Sequence, residues 1–336
     1  MIGNRPHSPI EQIVAQFVRE ELSAENAHIA GAIWSMLDAG GKRLRPRIVM
    51  LAGRACSAAV QPDAVLASYM ELIHVATLIH DDVLDGAELR RGKTSTRHAY
   101  GNRFSVLAGD YLFAWVFKKV TQAYASPVPT ILAAMLSDIC NGEVKQLRAA
   151  GDLELSKERY LEIIGKKTAE LFAACSECGA IVALQAAAGA GGLPLRELSA
   201  VKALREYGWH YGLAFQIRDD LLDITASDVV LGKPAAADLR ERKVTLPLIY
   251  ALQDANARVR PLAAALFALE DGAQSQAAAM IETLVTHVRA SQAIDKAVQT
   301  MSEYAARAKA ALATLPASDA RDELGALADS LSGFSP

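Results

Sequence analysis

Two short acidic segments stand out in this chain for the chemistry their spacing allows. The first is Leu78-Ile-His-Asp-Asp-Val-Leu-Asp85, and the second is Phe215-Gln-Ile-Arg-Asp-Asp-Leu-Leu-Asp223. Residues four apart share one face of a helix, so Asp81 projects with Asp85 and Asp219 with Asp223, while Asp82 and Asp220 sit to one side. Like charges at that spacing repel. A helix that keeps such a cluster beside Val83, Leu84, Leu221 and Leu222 is best relieved by a cation. A solvated acidic helix end explains either copy alone, but not both together.

Basic groups accompany the acids. Ala39-Gly-Gly-Lys-Arg-Leu-Arg-Pro46 sets three cations beside a glycine pair that lets backbone approach a ligand closely, as in a phosphate pocket. A solvated basic turn is the equal alternative from that segment alone. Arg90, Arg91 and Lys93 follow the first acidic cluster closely. Gly165-Lys-Lys-Thr168 offers a cation and a hydroxyl at Lys167 and Thr168, and Lys233, Asp238 and Lys243 lie in a polar stretch after the second cluster. The inventory is therefore acids, a hard cation held through oxygen, and bases for phosphate oxygens. No Ser-His-Asp or Cys-His nucleophile is evident, nor a P-loop, which favours chemistry that needs no protein nucleophile. Metal ions that neutralise a diphosphate make it a leaving group, and an apolar cavity shelters the carbocation left behind. His80-Asp81 suggests a His-Asp phosphohydrolase, but further ligands at suitable places are not apparent.

The elements that must position these groups read as helices. Of 336 residues, 51% are hydrophobic, and alternating β-branched runs are nearly absent. The expectation is an all-α fold, a large single-domain helical bundle over residues 1–336, with no flexible linker to divide it. Ser8-Pro9 opens a helix running to Leu37. Asp63 to Asp85 is apolar on nearly every side and reads as a central helix, with its acids at the end of a buried rod. His74 and His80 lie on it; a satisfied core histidine is the ordinary reading of each, although His74 is two turns before Asp81 on nearly the same face. Helices are expected over Asn102–Tyr124, Ile131–Leu147 and Lys157–Ala188, the last capped by Ser156 and followed by a Gly189–Pro194 loop. Another runs from near Arg196 to Thr225, followed by a polar loop from Ser227 to Lys243. Three or four packing helices follow, including Ala273–Arg289 and Ser291–Leu315.

The net charge of −3 argues against a general nucleic-acid binder. Cys56, Cys140, Cys175 and Cys178 show no scaffold spacing, and Cys175-x-x-Cys178 lacks a second pair for zinc, so buried thiols in a reducing cytoplasm are expected. The apolar run Cys178–Leu195 is broken by Gln185, three glycines and Pro194, so no transmembrane segment is expected.

Taken together, Gly40-Gly-Lys-Arg-Leu-Arg-Pro46, Asp81-Asp-Val-Leu-Asp85 with Arg90-Arg-Gly92, Lys167-Thr-Ala169, Phe215-Gln216, Asp219-Asp-Leu-Leu-Asp223, Gly232-Lys-Pro234 and Lys243-Val-Thr-Leu-Pro247 resemble the trans-isoprenyl diphosphate synthases in order and spacing. The resemblance implies an isoprenoid-synthase helical bundle around a central cavity, a homodimer, and Mg²⁺-dependent condensation of isopentenyl diphosphate with an allylic diphosphate. It implies Asp81, Asp85 and Asp219 as Mg²⁺ ligands, assisted by Asp82, Asp220 and Asp223. Lys42, Arg45, His74 and Arg91 match the isopentenyl diphosphate binders; Arg90, Lys167, Thr168, Gln216 and Lys233 match the groups that hold the allylic diphosphate. The product-length positions of the family fall at Ala76 and Thr77, both small, which implies a long product, hepta- to decaprenyl. The chain departs from the family at Ala236 and Arg242, where relatives carry glycine in a loop associated with closure, and its C-terminus lacks a basic residue. The alternatives are a short-chain farnesyl or geranylgeranyl diphosphate synthase, a class I terpene cyclase, and a product-shaping subunit of a heteromeric synthase. Terpene cyclases usually carry a different second metal motif, and such subunits typically lose their Asp motifs.

Overall fold

The computed structural model describes residues 12–13, 15–17, 20, 26–38, 40–57, 59–90, 92–188, 194–226, 235–254, 258–270 and 274–333. The expected start at Ser8, most of the Gly189–Pro194 loop, Arg91 and Lys233 lie outside them.

The elements are almost entirely helical: α1 Ala27–Asp38, α2 Leu44–Cys56, α3 Ala64–Leu84, α4 Thr96–Ala123, α5 Val128–Arg148, α6 Lys157–Ile164, α7 Glu170–Ala188 and α8 Ser199–Thr225. They continue with α9 Ala237–Arg240, α10 Leu246–Gln253, α11 Val259–Phe267, α12 Gln274–Arg289, α13 Ala293–Ala311 and α14 Asp319–Ser332. Two short strands, β1 Leu89–Arg90 and β2 Lys93–Thr94, pair antiparallel just after the first acidic cluster. The chain forms two compact units, residues 1–132 with 175–201, and residues 133–174 with 202–336.

In the first unit α3 is the central rod, packed against α2 and most extensively against α4. Asp63 caps its N-terminus, accepting from the Leu66 N–H at 2.8 Å, and Leu66, Met70, Leu72, Ile73 and Ile79 are fully buried along it. Gly179 of α7 lies so close to the Val49 carbonyl of α2 that no side chain fits between them. The expected helix start at Asn102 marks a real break: Gly101 has φ 80 and ψ 160, and an earlier helical turn from Thr96 is capped by Ser95.

The second unit gathers Phe172, Tyr207, Tyr211 and Phe215 into an aromatic core, Tyr207, Tyr211 and Phe215 stacked in turn and Phe172 edge-on to Tyr211, with α13 packed on α10 and α14. Ser156 caps α6 through the Arg159 N–H, 3.2 Å away. The single expected helix from Lys157 to Ala188 is interrupted, because Gly165–Ala169 forms a π-turn between α6 and α7. The stretch 157–187 is long and apolar enough to cross a membrane, but 78% of its most apolar window is buried inside the protein, so packing accounts for its apolarity. Among the described residues α10 begins at Leu246 and four further helices, α11 to α14, follow it, where three or four were expected. The four cysteines form no disulfide, and Cys175 and Cys178 are buried.

Candidate active site

Both acidic clusters occupy the C-terminal ends of helices, α3 and α8, where the peptide dipoles already concentrate negative charge. Carboxylates are least comfortable there, and each cluster keeps its first acid open and buries its second, while the third is open in the first cluster and buried in the second. Asp81, Asp85 and Asp219 stay within reach of solvent, whereas Asp82, Asp220 and Asp223 are buried.

The buried members are held by protein groups. Asp82 accepts from Arg90 Nε at 2.7 Å and pairs with Arg90 Nη2 at 2.6 Å, so the β1–β2 hairpin is fastened to the end of α3. Asp220 accepts from the Tyr160 hydroxyl at 2.6 Å and from Gln216 Nε2 at 2.8 Å. Burial pushes its carboxyl up to about 7, against the lowering effect of those two hydrogen bonds, and the neighbouring Asp219 and Asp223 push the same way as burial. Asp223 accepts from the backbone N–H groups of Ala237 at 3.3 Å and Asp238 at 3.1 Å, which makes its carboxylate the cap of α9. The expected polar loop from Ser227 to Lys243 therefore contains a helix in its described part, docked onto the second acidic cluster.

The basic residues separate as well. Of the three cations after Gly40 and Gly41, both of which have positive φ, Arg43 is engaged within the fold by Glu71 at 2.7 Å and the Leu37 carbonyl at 3.1 Å. Lys42 is exposed and Arg45 half-buried, near enough to Cys175 for its charge to favour the thiolate. On α3 a partly accessible stripe runs through His74, Thr77, Leu78, Asp81 and Asp85, the i, i+3, i+4, i+7 pattern of one face. Thr77 is on that stripe, its hydroxyl donating to the His74 carbonyl at 2.8 Å, while Ala76 is fully buried. His80 is a satisfied histidine, its Nε2 3.0 Å from the Val106 carbonyl.

In the second unit a cavity of about 110 Å³ is lined by Tyr160, Lys167, Thr168, Gln216, Asp220, Asp238 and Lys243. Thr168 donates to Gln216 Oε1 at 2.8 Å, so Thr168, Gln216, Asp220 and Tyr160 form one hydrogen-bonded row. The π-turn delivers Lys167 and Thr168 to this cavity, and Lys167 forms an ion pair with Glu143 of α5. Lys243 pairs with Glu241. The structure thus brings Lys167, Thr168, Gln216 and Asp220 together.

Tyr160 and Glu143 were not singled out by the sequence. Tyr160 looks like any core aromatic, whereas Gly142 in the middle of α5 was a usable signal that another backbone comes close to Glu143.

Among the described residues, no three His, Cys, Asp or Glu side chains converge to hold a metal ion by themselves. Mg²⁺ typically takes one or two carboxylates and completes its sphere with substrate phosphates and water, so accessible carboxylate oxygens at Asp81, Asp85 and Asp219 suit that ion.

Comparison with known proteins follows the same lines. The model of the polyprenyl synthetase family matches residues 26–288. The octaprenyl diphosphate synthase of Haemophilus influenzae is 34% identical over 320 residues, covering 95% of this chain and 92% of that protein. The heptaprenyl diphosphate synthase component 2 of Geobacillus stearothermophilus is 36% identical over 315 residues, covering 93% and 92%. A polyprenyl synthase from Caulobacter crescentus CB15, solved in complex with calcium and isoprenyl diphosphate, superposes with a TM-score of 0.83 at 38% identity, covering 96% of this chain and 93% of that one.

Proposed function

Because the chain belongs to the polyprenyl synthetase family, we propose that it is a trans-prenyltransferase that condenses isopentenyl diphosphate with an allylic diphosphate, repeatedly, into a long all-trans polyprenyl diphosphate, hepta- to decaprenyl. The observation that carries this reading is the paired set of solvent-reachable carboxylates, Asp81 with Asp85 and Asp219, at the C-terminal ends of two helices.

In this reading Asp81, Asp85 and Asp219 supply oxygens to Mg²⁺. The metal, when bound, neutralises the allylic diphosphate so that it leaves with its electron pair. Lys167 and Gln216 orient that diphosphate at the cavity, with Arg90 and Lys233 contributing to the same group. Thr168 gives its only proton to Gln216 and so fixes that amide's orientation. Asp82 and Asp220 are positioning residues: one anchors Arg90, the other holds Gln216 and Tyr160. Lys42, Arg45, His74 and Arg91 hold isopentenyl diphosphate, whose double bond attacks the allylic carbon. A proton then passes to the departing diphosphate, and the product becomes the next allylic substrate.

The protein works in the cytoplasm and as a homodimer; exposed apolar Phe104, Val106 and Leu107 on α4, which a second copy would cover, support the dimer. The relative named as a component of a heptaprenyl synthase favours a second reading, a subunit that needs a partner. Purified protein with Mg²⁺, isopentenyl diphosphate and a series of allylic primers, analysed by mass spectrometry, tests both. Hepta- to decaprenyl diphosphate is expected from this chain alone. Product only after a partner is added favours the second reading, and no prenyl product under either condition refutes the assignment.

A further inference from the structure

We propose that Glu143 is a positioning residue for prenyl transfer, its carboxylate holding the Lys167 ammonium in place at the cavity that receives the allylic diphosphate. This rests on the reading of Lys167 as a diphosphate-binding group. Gly142 and Glu143 sit in the middle of α5, and the backbone of the π-turn lies directly on Gly142. A Cβ at Gly142 would stand 2.6 Å from Lys167 N and 3.0 Å from Lys166 Cβ. With only a hydrogen there, the two backbones touch, and the next side chain, Glu143, reaches Lys167.

Ion pairs that join α5 to α6 and the π-turn are not equivalent. Lys166–Asp138 at 2.5 Å and Lys145–Glu162 at 2.7 Å are substantially exposed, where solvent reduces such pairs to small contributions. In Lys167–Glu143 the side chains are only 18% and 14% exposed, so water screens the attraction less and the pair constrains direction. Direction matters at this lysine. The π-turn carries an extra residue, so Lys167 leaves the helix at an angle that α-helical geometry does not set. The cavity also holds a second ammonium, that of Lys243, itself paired with Glu241. Each cavity lysine is thus backed by a carboxylate, which keeps two cations together until a diphosphate arrives.

The test is a double-variant cycle on the Mg²⁺-loaded enzyme, after wild type has been shown to make product; a wild type that makes none would refute the function, not the role of Glu143. Glu143→Gln keeps the shape and removes the charge. The expected result is a Michaelis constant for the allylic primer raised about tenfold, with that for isopentenyl diphosphate little changed. In a Lys167→Ala background, adding Glu143→Gln should change the primer constant no further. Additive effects in the cycle, or equal rises for both substrates, overturn the proposal. If Glu143→Gln does not fold, the same cycle with Glu143→Asp, which keeps the charge but shifts the ammonium, gives the same reading.

Discussion

The Tyr160 hydroxyl donates to the Asp220 carboxylate across 2.6 Å, with both side chains withdrawn from solvent. Neither group has water to fall back on, so the bond matters more than an exposed one. Tyr160→Phe should lower stability by about 1–3 kcal/mol, the cost of leaving a buried acceptor short of a donor, read from the midpoint of guanidinium unfolding.

The acidic clusters should separate into two mutational classes. Asp81→Ala and Asp219→Ala remove solvent-reachable carboxylates, so they should leave helicity and melting temperature near wild type while lowering turnover by orders of magnitude. Asp82→Ala leaves the Arg90 guanidinium facing a buried gap, and a broken buried ion pair costs about 3–5 kcal/mol. Circular dichroism melts beside steady-state assays distinguish the classes.

Ala236 and Arg242, the two positions where the family resemblance implies glycine, both adopt left-handed backbone, with φ 54 and 56. The conformation persists without the residue that favours it. Ala236→Gly should therefore stabilise the fold by about 0.5–1 kcal/mol, the left-handed strain relieved less the added freedom of the unfolded chain. Arg242→Gly should gain less, because Arg242 Nη2 also donates to the Leu269 carbonyl at 2.7 Å. Denaturant midpoints of the two variants check the order.

Thiol reactivity should follow burial. The Cys175 thiol is pushed up to about 12 and that of Cys56 to about 11, in both cases by desolvation, against which the Arg45 charge only partly lowers Cys175. The thiolate is the reactive form, so at pH 8 both are protonated almost completely, and reactivity at Cys56 should grow as pH rises. Iodoacetamide at pH 8 should modify exposed Cys140 first, with Cys175 and Cys178 reacting only after unfolding, as intact mass will report.

Product length tests the wall of α3. Ala76 is completely buried whereas Thr77 belongs to the accessible stripe that leads to Asp81. Ala76→Tyr should shorten the product toward farnesyl or geranylgeranyl diphosphate if the growing chain passes there. An active Ala76→Tyr enzyme with unchanged products, beside a Thr77→Phe enzyme with shortened ones, would place the gate on the stripe instead.

Much of this architecture was legible in the sequence because it is local. The Ser156 cap, the apolar rod before Asp81 and the helix start near Asn102 each depend on residues within a turn or two of one another. What stayed hidden depends on residues far apart in the chain. That Asp223 caps a helix beginning at Ala237, that Arg43 belongs to Glu71 and that Tyr160 belongs to Asp220 are facts of tertiary placement. Motif spacing could not tell which acid of each cluster turns inward, and burial decided it. The π-turn was hidden for a different reason: Gly165-Lys-Lys-Thr-Ala169 is equally compatible with an ordinary helix, and only packing selects the wider turn.

That wider turn also sets a phase. One residue more than α-helical winding requires is taken up between Ile164 and Glu170, so every side chain after it is rotated by about 100° from where a regular helix would put it. Deleting a single residue from 165–169 would leave a well-formed continuous helix that faces the wrong way. Glu170 would turn from Arg205, which it now meets at 2.8 Å, and Phe172 from the ring of Tyr211. Spectroscopically such a protein would gain helix while losing its core, which makes the length of this segment, more than its composition, the quantity that the rest of the chain is built to match.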